Sequence, residues 1–412
     1  MNTSPRPTAH PSAYWSLVLV AAAILMVTMG ARQSMGLFIA PMSRDTGLSI
    51  VDISFALAIG QFVWGASQPV FGIVADRFGP TKVVVLGGLL LAAGTALTPF
   101  VRSEWALMVT LGVMAAAGAG AGSFSILIGA AAQRLPAEKR SSASGVINAG
   151  GSFGQAVFAP INQALISALG WVQAMWTLAL ITLATLPLAW KLGGNKAASP
   201  TPGAVAAPAG PTLGQQLREA FADRSYWCLH LGFFTCGFHI AFLVTHLPGE
   251  VGLCGLPASV AATSLAVIGV ANIAGSLMAG AAGNRFRMKY ILFWMYGTRA
   301  LAILVYLAAP KTPLTFYVFA AVLGFTWLAT VPPTAGLVGK LFGTRHLATL
   351  FGMTLLSHQI GGFFGAYFGG LAFARWNSFE AMWWADIALA AAAAVINLPI
   401  REAKLPPRTQ PA

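Results

Sequence analysis

The sequence has 412 residues and a formal net charge of +13, with 57% apolar residues and only 8% charged ones. Charged residues make up about a quarter of a soluble globular domain, so this composition excludes an ordinary soluble protein. Long apolar stretches with few charges are typical of a membrane protein with many spans.

Twelve apolar stretches follow one another along the chain. Each is long enough for a helix, at about 1.5 Å per residue, to cross a hydrocarbon core of about 30 Å. We therefore predict twelve transmembrane helices, numbered here as spans one to twelve, at 15–40, 53–75, 83–101, 105–132, 142–168, 171–190, 227–249, 258–282, 290–309, 313–338, 346–371 and 378–399. The first stretch lacks a convincing cleavage site and is expected to remain as a membrane helix.

The basic residues fall mainly on one side of this topology. The side that holds both termini collects eighteen Lys and Arg residues, and the other side holds only Arg44, Arg102, Lys311 and Arg375. By the positive-inside rule, both termini are expected to be cytoplasmic. The protein itself is expected in the inner membrane of the cell. The basic charge reflects topology, so no nucleic-acid partner is expected.

The two halves of the chain share a pattern at an offset of 207 residues. The pairs that coincide are Gly30 and Gly237, Arg32 and His239, Pro41 and Pro248, Gly129 and Gly336, Gly145 and Gly352, and Gly154 and Gly361. The offset predicts a duplicated six-helix bundle. We expect one bundle at 1–192, a cytoplasmic linker with a short amphipathic helix at 193–225, and a second bundle at 226–412.

A charged turn lies between spans two and three, in "GIVADRFGPTK" at 72–82. A fainter copy, "GAAGNRFRMK" at 280–289, lies between spans eight and nine. The turn is expected either to latch the cytoplasmic gate or to serve only as a topological anchor. Its candidate gating residues are Gly72, Asp76, Arg77, Gly79, Lys82 and, in the second copy, Arg285.

The pattern G-x-x-x-D-R-x-G-x-x-K in this position resembles the loop motif of the major facilitator superfamily. The resemblance implies an all-α membrane protein of twelve helices, in two pseudo-symmetric six-helix bundles that rock about a central site. It also implies a monomer. In the second copy Asn284 replaces the acid and Arg287 replaces the following glycine, so the second latch is expected to be weaker.

Ionisable residues inside membrane spans are costly and are therefore functional candidates. Arg32, Arg299, His239 and His358 lie deep in spans, and Asp386 is the one acid at comparable depth. Two permanent cations facing a single acid favour an anionic substrate, most simply a small carboxylate held by Arg. The predicted substrate-binding residues are Arg32, His239, Asn148, Arg299, His358 and Gln359.

These residues also have structural interpretations. Arg299 could pair with Asp386 or with backbone carbonyls, and His239 could be a helix-packing histidine. Asn and Gln side chains also hold neighbouring helices together in lipid. Further polar candidates are His246, Gln61, Gln68, Ser123, Gln155 and Tyr296.

A finer resemblance is to monocarboxylate-transporter-like carriers. "GARQSMGLFIAPM" resembles that family's first-helix motif, with Arg32 at the basic position, and "RLPAEKRSSASGVINAGGSFGQ" resembles its turn between spans four and five. Animal members have an Asp and an Arg in span eight, where this chain has Asn272 and Ser276. If transport is proton-coupled, the proton is expected on His239 first, then on His358, and then on Asp386.

The sequence thus predicts a secondary active transporter that moves a small organic anion, such as a monocarboxylate, together with protons. Two alternatives remain open, which are anion exchange without proton coupling and proton-driven efflux of a drug or metabolite. Catalysis is not expected, since no nucleotide-binding loop, metal cluster or activated nucleophile is present. No cofactor or metal is expected, and the partners are the anion, protons and the lipid bilayer.

Overall fold

The computed structural model describes residues 11–132, 135, 137–192, 212–283, 285–343 and 346–402, with some side chains around 132–142 and at 76 and 348 left undescribed. In the first half, span one consists of Pro11–Gln33 and Ile39–Thr46, span two of Ile50–Phe78 and span three of Pro80–Leu97. Span four consists of Glu104–Leu107, Ala116–Ala121 and Phe124–Ala132, span five of Ala137–Leu169, and span six of Trp171–Thr182 and Thr185–Leu192. A 3-10 turn, Met35–Phe38, joins the two helices of span one, and span four contains a π-helical stretch, Met108–Ala115.

The second half repeats this order. A short helix, Leu213–Ala222, precedes span seven, which is Arg224–Leu253. Span eight is Ala258–Ala282, span nine is Met288–Ala308, and span ten consists of Pro313–Trp327 and Val331–Phe342. Span eleven is Leu347–Trp376 and span twelve is Glu380–Asn397. The two helices of span ten are separated by a 3-10 turn, Leu328–Thr330.

Local sequence explains where several of these helices begin and end. The Ser49 side chain accepts from the Asp52 N–H while the Asp52 carboxylate accepts from the Ser49 N–H, which caps the start of span two. Gly79 follows span two with φ +90°, and Pro80 then occupies the first turn of span three.

The number of spans agrees with the sequence prediction. Nine helical segments in the described residues are long and apolar enough to cross a membrane by themselves. The three other long helices, Ala137–Leu169, Leu347–Trp376 and Glu380–Asn397, complete a set of twelve. Their ends differ from the predicted ones by a few residues, because caps and 3-10 turns extend helices beyond their apolar stretches.

The packing of the spans repeats between the halves. Span one packs on span five as span seven packs on span eleven, and spans two and four pair as spans eight and ten do. Spans three and six pair as spans nine and twelve do. The predicted fold of two pseudo-symmetric six-helix bundles is confirmed.

The halves meet along two seams, one between spans two and eleven and one between spans five and eight. A Cβ atom on Gly370 would lie 2.5 Å from the Ser54 side chain, and one on Gly36 would lie 2.2 Å from the Val244 carbonyl oxygen. Toward the opposite end, a Cβ atom on Gly145 or Gly352 would meet no described atom within 4 Å. Close contacts between the halves are thus present at the end that carries the turn at 47–49.

The short helix Leu213–Ala222 forms where the sequence predicted one. Thr212 caps its first turn with Gln215, and the buried Gln216 amide donates to the Phe342 carbonyl at the end of span ten. The residues 193–211 of the predicted linker lie outside the described part. The domain limits at 192 and 226 remain a prediction.

The segment 398–402, here called the C-terminal clasp, ties several helix ends together on the same side of the molecule. Arg401 pairs with Asp223, which caps span seven. The Glu402 carboxylate accepts from Lys340 Nζ at 2.7 Å and from the Met288 N–H at 2.9 Å, at the start of span nine. Ends of spans seven, nine, ten and twelve are thus fixed relative to one another.

Candidate functional site

Arg32 lies on the wall of a cavity in the first half. Side chains of spans one to four and one edge of span seven enclose it. The lining residues are Ala31, Arg32, Met35, Gly36, Leu57, Gly60, Gln61, Leu91, Thr95, Leu111, Ala115, Ala116, Val244 and Thr245. The wall is therefore mainly apolar, with one cation and no acid.

The partners of the Arg32 guanidinium are uncharged. Its Nη1 donates to Gln61 Oε1, and its carbon lies 4.3 Å from the centroid of the Trp64 ring. Its Nε is buried and has no acceptor in the described part of the chain. A cation with neutral partners in a water-poor site favours the arrival of an anion.

His358 and Gln359 lie on span eleven, where it faces span two and span seven. Gln359 Nε2 donates to His358 Nδ1 at 3.2 Å, and the Gln359 side chain packs against Gly65 across the seam between the halves. The His358 ring contacts Phe233 at a centroid distance of 5.5 Å. His358 lies within electrostatic range of both Arg32 and Arg299.

His239 occupies a different environment inside the second half. Its Nδ1 donates to the Asp386 carboxylate of span twelve, and both side chains are fully buried. His239 Nε2 and Asp386 Oδ1 have no hydrogen-bond partner within the described residues. The pair links spans seven and twelve, which is compatible with the alternative of a helix-packing histidine.

Arg299 fills the break in span ten. Its Nη2 donates to the Thr326 carbonyl at 2.8 Å and to the Trp327 carbonyl at 3.4 Å, where the first helix of span ten ends. The guanidinium also lies 5.3 Å from the Tyr296 ring centroid and is fully buried. A cation at a helix C-terminus stabilises the exposed carbonyls, as in the sequence alternative in which Arg299 pairs with backbone carbonyls. Its Nε and Nη1 have no partner among the described residues.

The structure does not bring the predicted binding residues into one cluster. Arg32 lines the cavity of the first half, whereas His239, Asp386 and Arg299 lie among spans seven, nine, ten and twelve. Asn148 is half-buried on span five and is not among the residues that line the Arg32 cavity. His239 and Arg32 correspond in the repeat, but they do not share a cavity wall in this structure.

Some residues that the sequence treated as secondary have defined contacts. Gln61 holds Arg32, and the Tyr296 hydroxyl donates to the Gly232 carbonyl at 2.7 Å. Asn272 donates to Ser152 Oγ across the halves at 3.0 Å and accepts from the Leu328 N–H at 2.9 Å. The position where animal relatives have a charged pair therefore carries a neutral bridge.

Trp64 was missed by the sequence reasoning. It is 6% exposed and its Nε1 has no acceptor in the described residues, although it packs against Arg32. The signal for it was its spacing from Gln61, since positions three apart share a helix face.

The candidate gating residues lie at the turns that the sequence predicted. Gly79 adopts its positive φ at the end of span two, and Arg77, Lys82 and Arg285 are exposed on helix ends or turns. The side chain of Asp76 lies outside the described residues, and the latch remains a prediction.

Comparison with known proteins gives the family. The sequence profile of the Major Facilitator Superfamily matches residues 20–365. The chain belongs to this superfamily. It is therefore a multi-pass membrane transporter and not an enzyme.

Curated relatives are similar at low identity over most of their length. An uncharacterized MFS-type transporter of Bacillus subtilis (strain 168), YcxA, is 24% identical over 90% of this chain and 90% of its own. Monocarboxylate transporter 13 of Rattus norvegicus is 25% identical over 88% of this chain and 83% of its own. The oxalate:formate antiporter of Oxalobacter formigenes is 24% identical over 89% and 85%.

Solved structures confirm the superfamily fold. A D-xylose-proton symporter matches with a TM-score of 0.73 and 15% identity, over 94% of this chain and 98% of that chain. A bacterial homolog to human lysosomal transporter Spinster, in an inward-facing and unoccupied conformation, matches with a TM-score of 0.71 and 17% identity over 95% of both chains. At these identities the likeness shows the fold alone.

Proposed function

We propose that this transporter is a secondary active carrier of a small organic anion, specifically a monocarboxylate, which binds at Arg32. The observation that carries the proposal is the guanidinium itself. It lines a cavity without any acid, its described partners are neutral, and a buried Nε lacks an acceptor.

The charge balance of the whole interior supports this assignment. Arg299 Nη2 donates to backbone carbonyls and Asp386 pairs with His239, and neither Arg299 nor Asp386 lines the Arg32 cavity. The ion pairs found in the described part of the chain do not involve Arg32. A carboxylate would neutralise the deep cation that lines this cavity.

The cavity wall favours one carboxylate rather than two. Around Arg32 the polar side chains are Gln61, Thr95 and Thr245, and the others are aliphatic or small. A second carboxylate would lose its hydration against this wall without gaining a cation. The desolvation of a buried ion costs on the order of several kcal/mol. The relatives described as monocarboxylate transporters agree with this class.

We propose His358 as the proton carrier in place of His239, which the sequence ranked first. His358 is only half-buried, whereas His239 is fully buried against Asp386. Arg32, Arg299 and Gln359 are the charged or polar groups described near His358. An anion at Arg32 would offset the repulsion that a protonated imidazole meets there, which couples proton binding to substrate binding.

Exchange without proton coupling is the second candidate, because Arg32 alone suffices for it and one relative is described as an oxalate:formate antiporter. Proteoliposomes separate the two. An imposed pH gradient, acid outside, drives uptake of a carboxylate by a symporter without any internal anion, whereas an exchanger needs a preloaded counter-anion.

The binding proposal is tested with purified protein and a panel of formate, acetate, L-lactate, oxalate and benzoate. Wild type should be stabilised against heat by at least one monocarboxylate. Arg32→Gln should lose this stabilisation, because its affinity for the monocarboxylate should fall by a factor of about ten or more. Arg102→Gln is the matched control, since Arg102 lies in a turn and donates to the Pro99 and Val101 carbonyls. Unchanged binding by Arg32→Gln would refute the proposal.

We also propose that both termini face the cytoplasm, on the basis of the Lys and Arg distribution. In a cysteine-free background, a Cys at position 103 should react with an impermeant maleimide on intact cells, and a Cys at position 285 should react only after permeabilisation. The reverse labelling would invert the topology.

A further inference from the structure

Two hydrogen-bond donors beside the cavity lack an acceptor. Arg32 Nε and Trp64 Nε1 are both buried and unpartnered in the described part of the chain. The guanidinium carbon lies 4.3 Å from the Trp64 ring centroid, so the two donors belong to one stacked pair. Buried N–H groups without a partner are rare in native structures and need an explanation.

The surrounding side chains do not supply that acceptor. Gln61 Oε1 already accepts from Arg32 Nη1, and Gln68 Oε1, one turn beyond Trp64, accepts from Ser125 at 2.9 Å. The site therefore has an excess of donors over acceptors. An oxyanion with two oxygens corrects such an excess, since it accepts and cannot donate.

We infer that Trp64 is a substrate-binding residue, whose indole N–H donates to the same carboxylate that Arg32 binds and whose ring orients the guanidinium. This inference rests on the proposed function, because it requires an anion at Arg32. One carboxylate oxygen accepts from Arg32 Nε and the other from Trp64 Nε1.

The two roles of Trp64 predict different effects of substitution. Trp64→Phe keeps an aromatic face beneath the guanidinium but removes the N–H. The loss of one hydrogen bond to a charged group should weaken binding of the best carboxylate about tenfold or more. The unfolding temperature without ligand should change little, because the N–H has no protein partner to lose.

The chain offers a matched control. Trp383 is also almost fully buried with an unpartnered Nε1, but it packs in an aromatic cluster with Phe242 and Tyr306 in the second half. Trp383→Phe should leave carboxylate affinity unchanged. The comparison separates the loss of any buried indole N–H from the loss of this one.

The experiment is isothermal titration of the purified full chain with the carboxylate of the panel that stabilises it most, and with the corresponding amide. Weaker carboxylate binding by Trp64→Phe, beside unchanged binding by Trp383→Phe, supports the inference. If Arg32→Gln abolishes binding while Trp64→Phe does not weaken it, the inference fails and the proposed function stands. If no carboxylate binds, or Arg32→Gln binds normally, both fail.

Should Trp64→Phe not fold, the benzothiophene analogue of tryptophan at position 64 gives the same test. It has nearly the shape of indole but carries no N–H. Wild-type affinity in that protein would overturn the inference.

Discussion

Arg32 and Arg299 are the two deep arginines of this transporter, and different groups bind their guanidinium ions. From the sequence, Arg299 had the further alternative of pairing with Asp386 or with backbone carbonyls. The structure separates them by their partners: Arg299 is held by backbone carbonyls, and Arg32 is held by a neutral amide and an indole ring. The depth of a residue in a span can be read from sequence, but the helix face it occupies cannot be fixed without the tertiary packing.

The same limit applies to His239, whose role in substrate binding stays a prediction. Its depth and its correspondence with Arg32 in the repeat suggested a shared site. The pairing of His239 with Asp386 joins residues 147 apart, and no local signal reveals it. The excess of cationic residues deep in the spans was predictable from the sequence. The pairing of Asp386 with His239 was not.

Asp386 is expected to be important for stability. Asp386→Asn keeps the shape but removes the charge that His239 faces. The loss of a charge-assisted hydrogen bond should lower the free energy of unfolding by about 2 kcal/mol. Thermal unfolding in detergent measures the change.

Glu380→Gln is the control for this prediction. Glu380 is exposed at the start of the same helix, so its substitution should change the stability by about 0.5 kcal/mol or less. An Asp386→Asn protein as stable as Glu380→Gln would show that the buried pair contributes nothing.

At the scale of helices, span ten and the C-terminal clasp are the features that the apolar pattern did not predict. The break at Leu328–Thr330 exposes carbonyls to Arg299 and an N–H to Asn272. Asn272 also reaches Ser152 of the other half, so the break and the seam between spans five and eight share one side chain. Twelve helices were predictable from hydropathy, whereas an interruption inside one depends on side chains from three others.

The clasp should make stability depend on pH on the acid side. Burial by itself would raise the pKa of Glu402, but hydrogen bonds from Lys340 and the Met288 N–H outweigh it, and the pKa is lowered from its ordinary value of 4.5. A carboxyl group with a lowered pKa contributes stability that is present above pH 4.5, and this stability is lost as the pH falls through the folded-state pKa.

Glu402→Gln should therefore unfold at a lower temperature than wild type at pH 7, and the difference should shrink as the pH falls below 4.5 and through the folded-state pKa of Glu402. Scanning calorimetry or a fluorescence melt across this range measures it. Glu104→Gln, in the first turn of span four, serves as the control. A difference that persists unchanged at low pH would mean that the Glu402 charge is not what the clasp uses.

At the scale of the whole molecule, the offset of 207 residues predicted the architecture because duplicated bundles bury equivalent faces. The structure adds which ends of the halves touch. Close contacts such as Ser54 with Gly370 lie at the end that carries the turn at 47–49. Sequence could not show this, since one chain must form both the closed and the open arrangement of each end.

A disulfide between the halves should therefore trap the carrier. Ser54→Cys with Gly370→Cys allows the two sulfur atoms to bond after a small backbone shift that separates the Cβ atoms, since the Cβ of residue 370 would lie 2.5 Å from Ser54. Oxidation should stop carboxylate transport in proteoliposomes, and a reductant should restore it.

The control links two spans of the same half. Ala241→Cys with Gly362→Cys brings Cβ atoms within 3.5 Å between spans seven and eleven. Its oxidation should leave transport intact, because the halves still move relative to each other. Equal inhibition by both pairs would argue against rocking of rigid halves.

The neutral partner of Arg32 has a consequence for the return journey of the carrier. Gln61 can satisfy one arm of the guanidinium but cannot cancel its charge. After unloading, the carrier must therefore pass through its occluded intermediate with the Arg32 charge unneutralised. In a loaded carrier, the bound carboxylate neutralises this charge. Reloading before each turnaround is the faster route, so homoexchange of labelled carboxylate should outpace net accumulation.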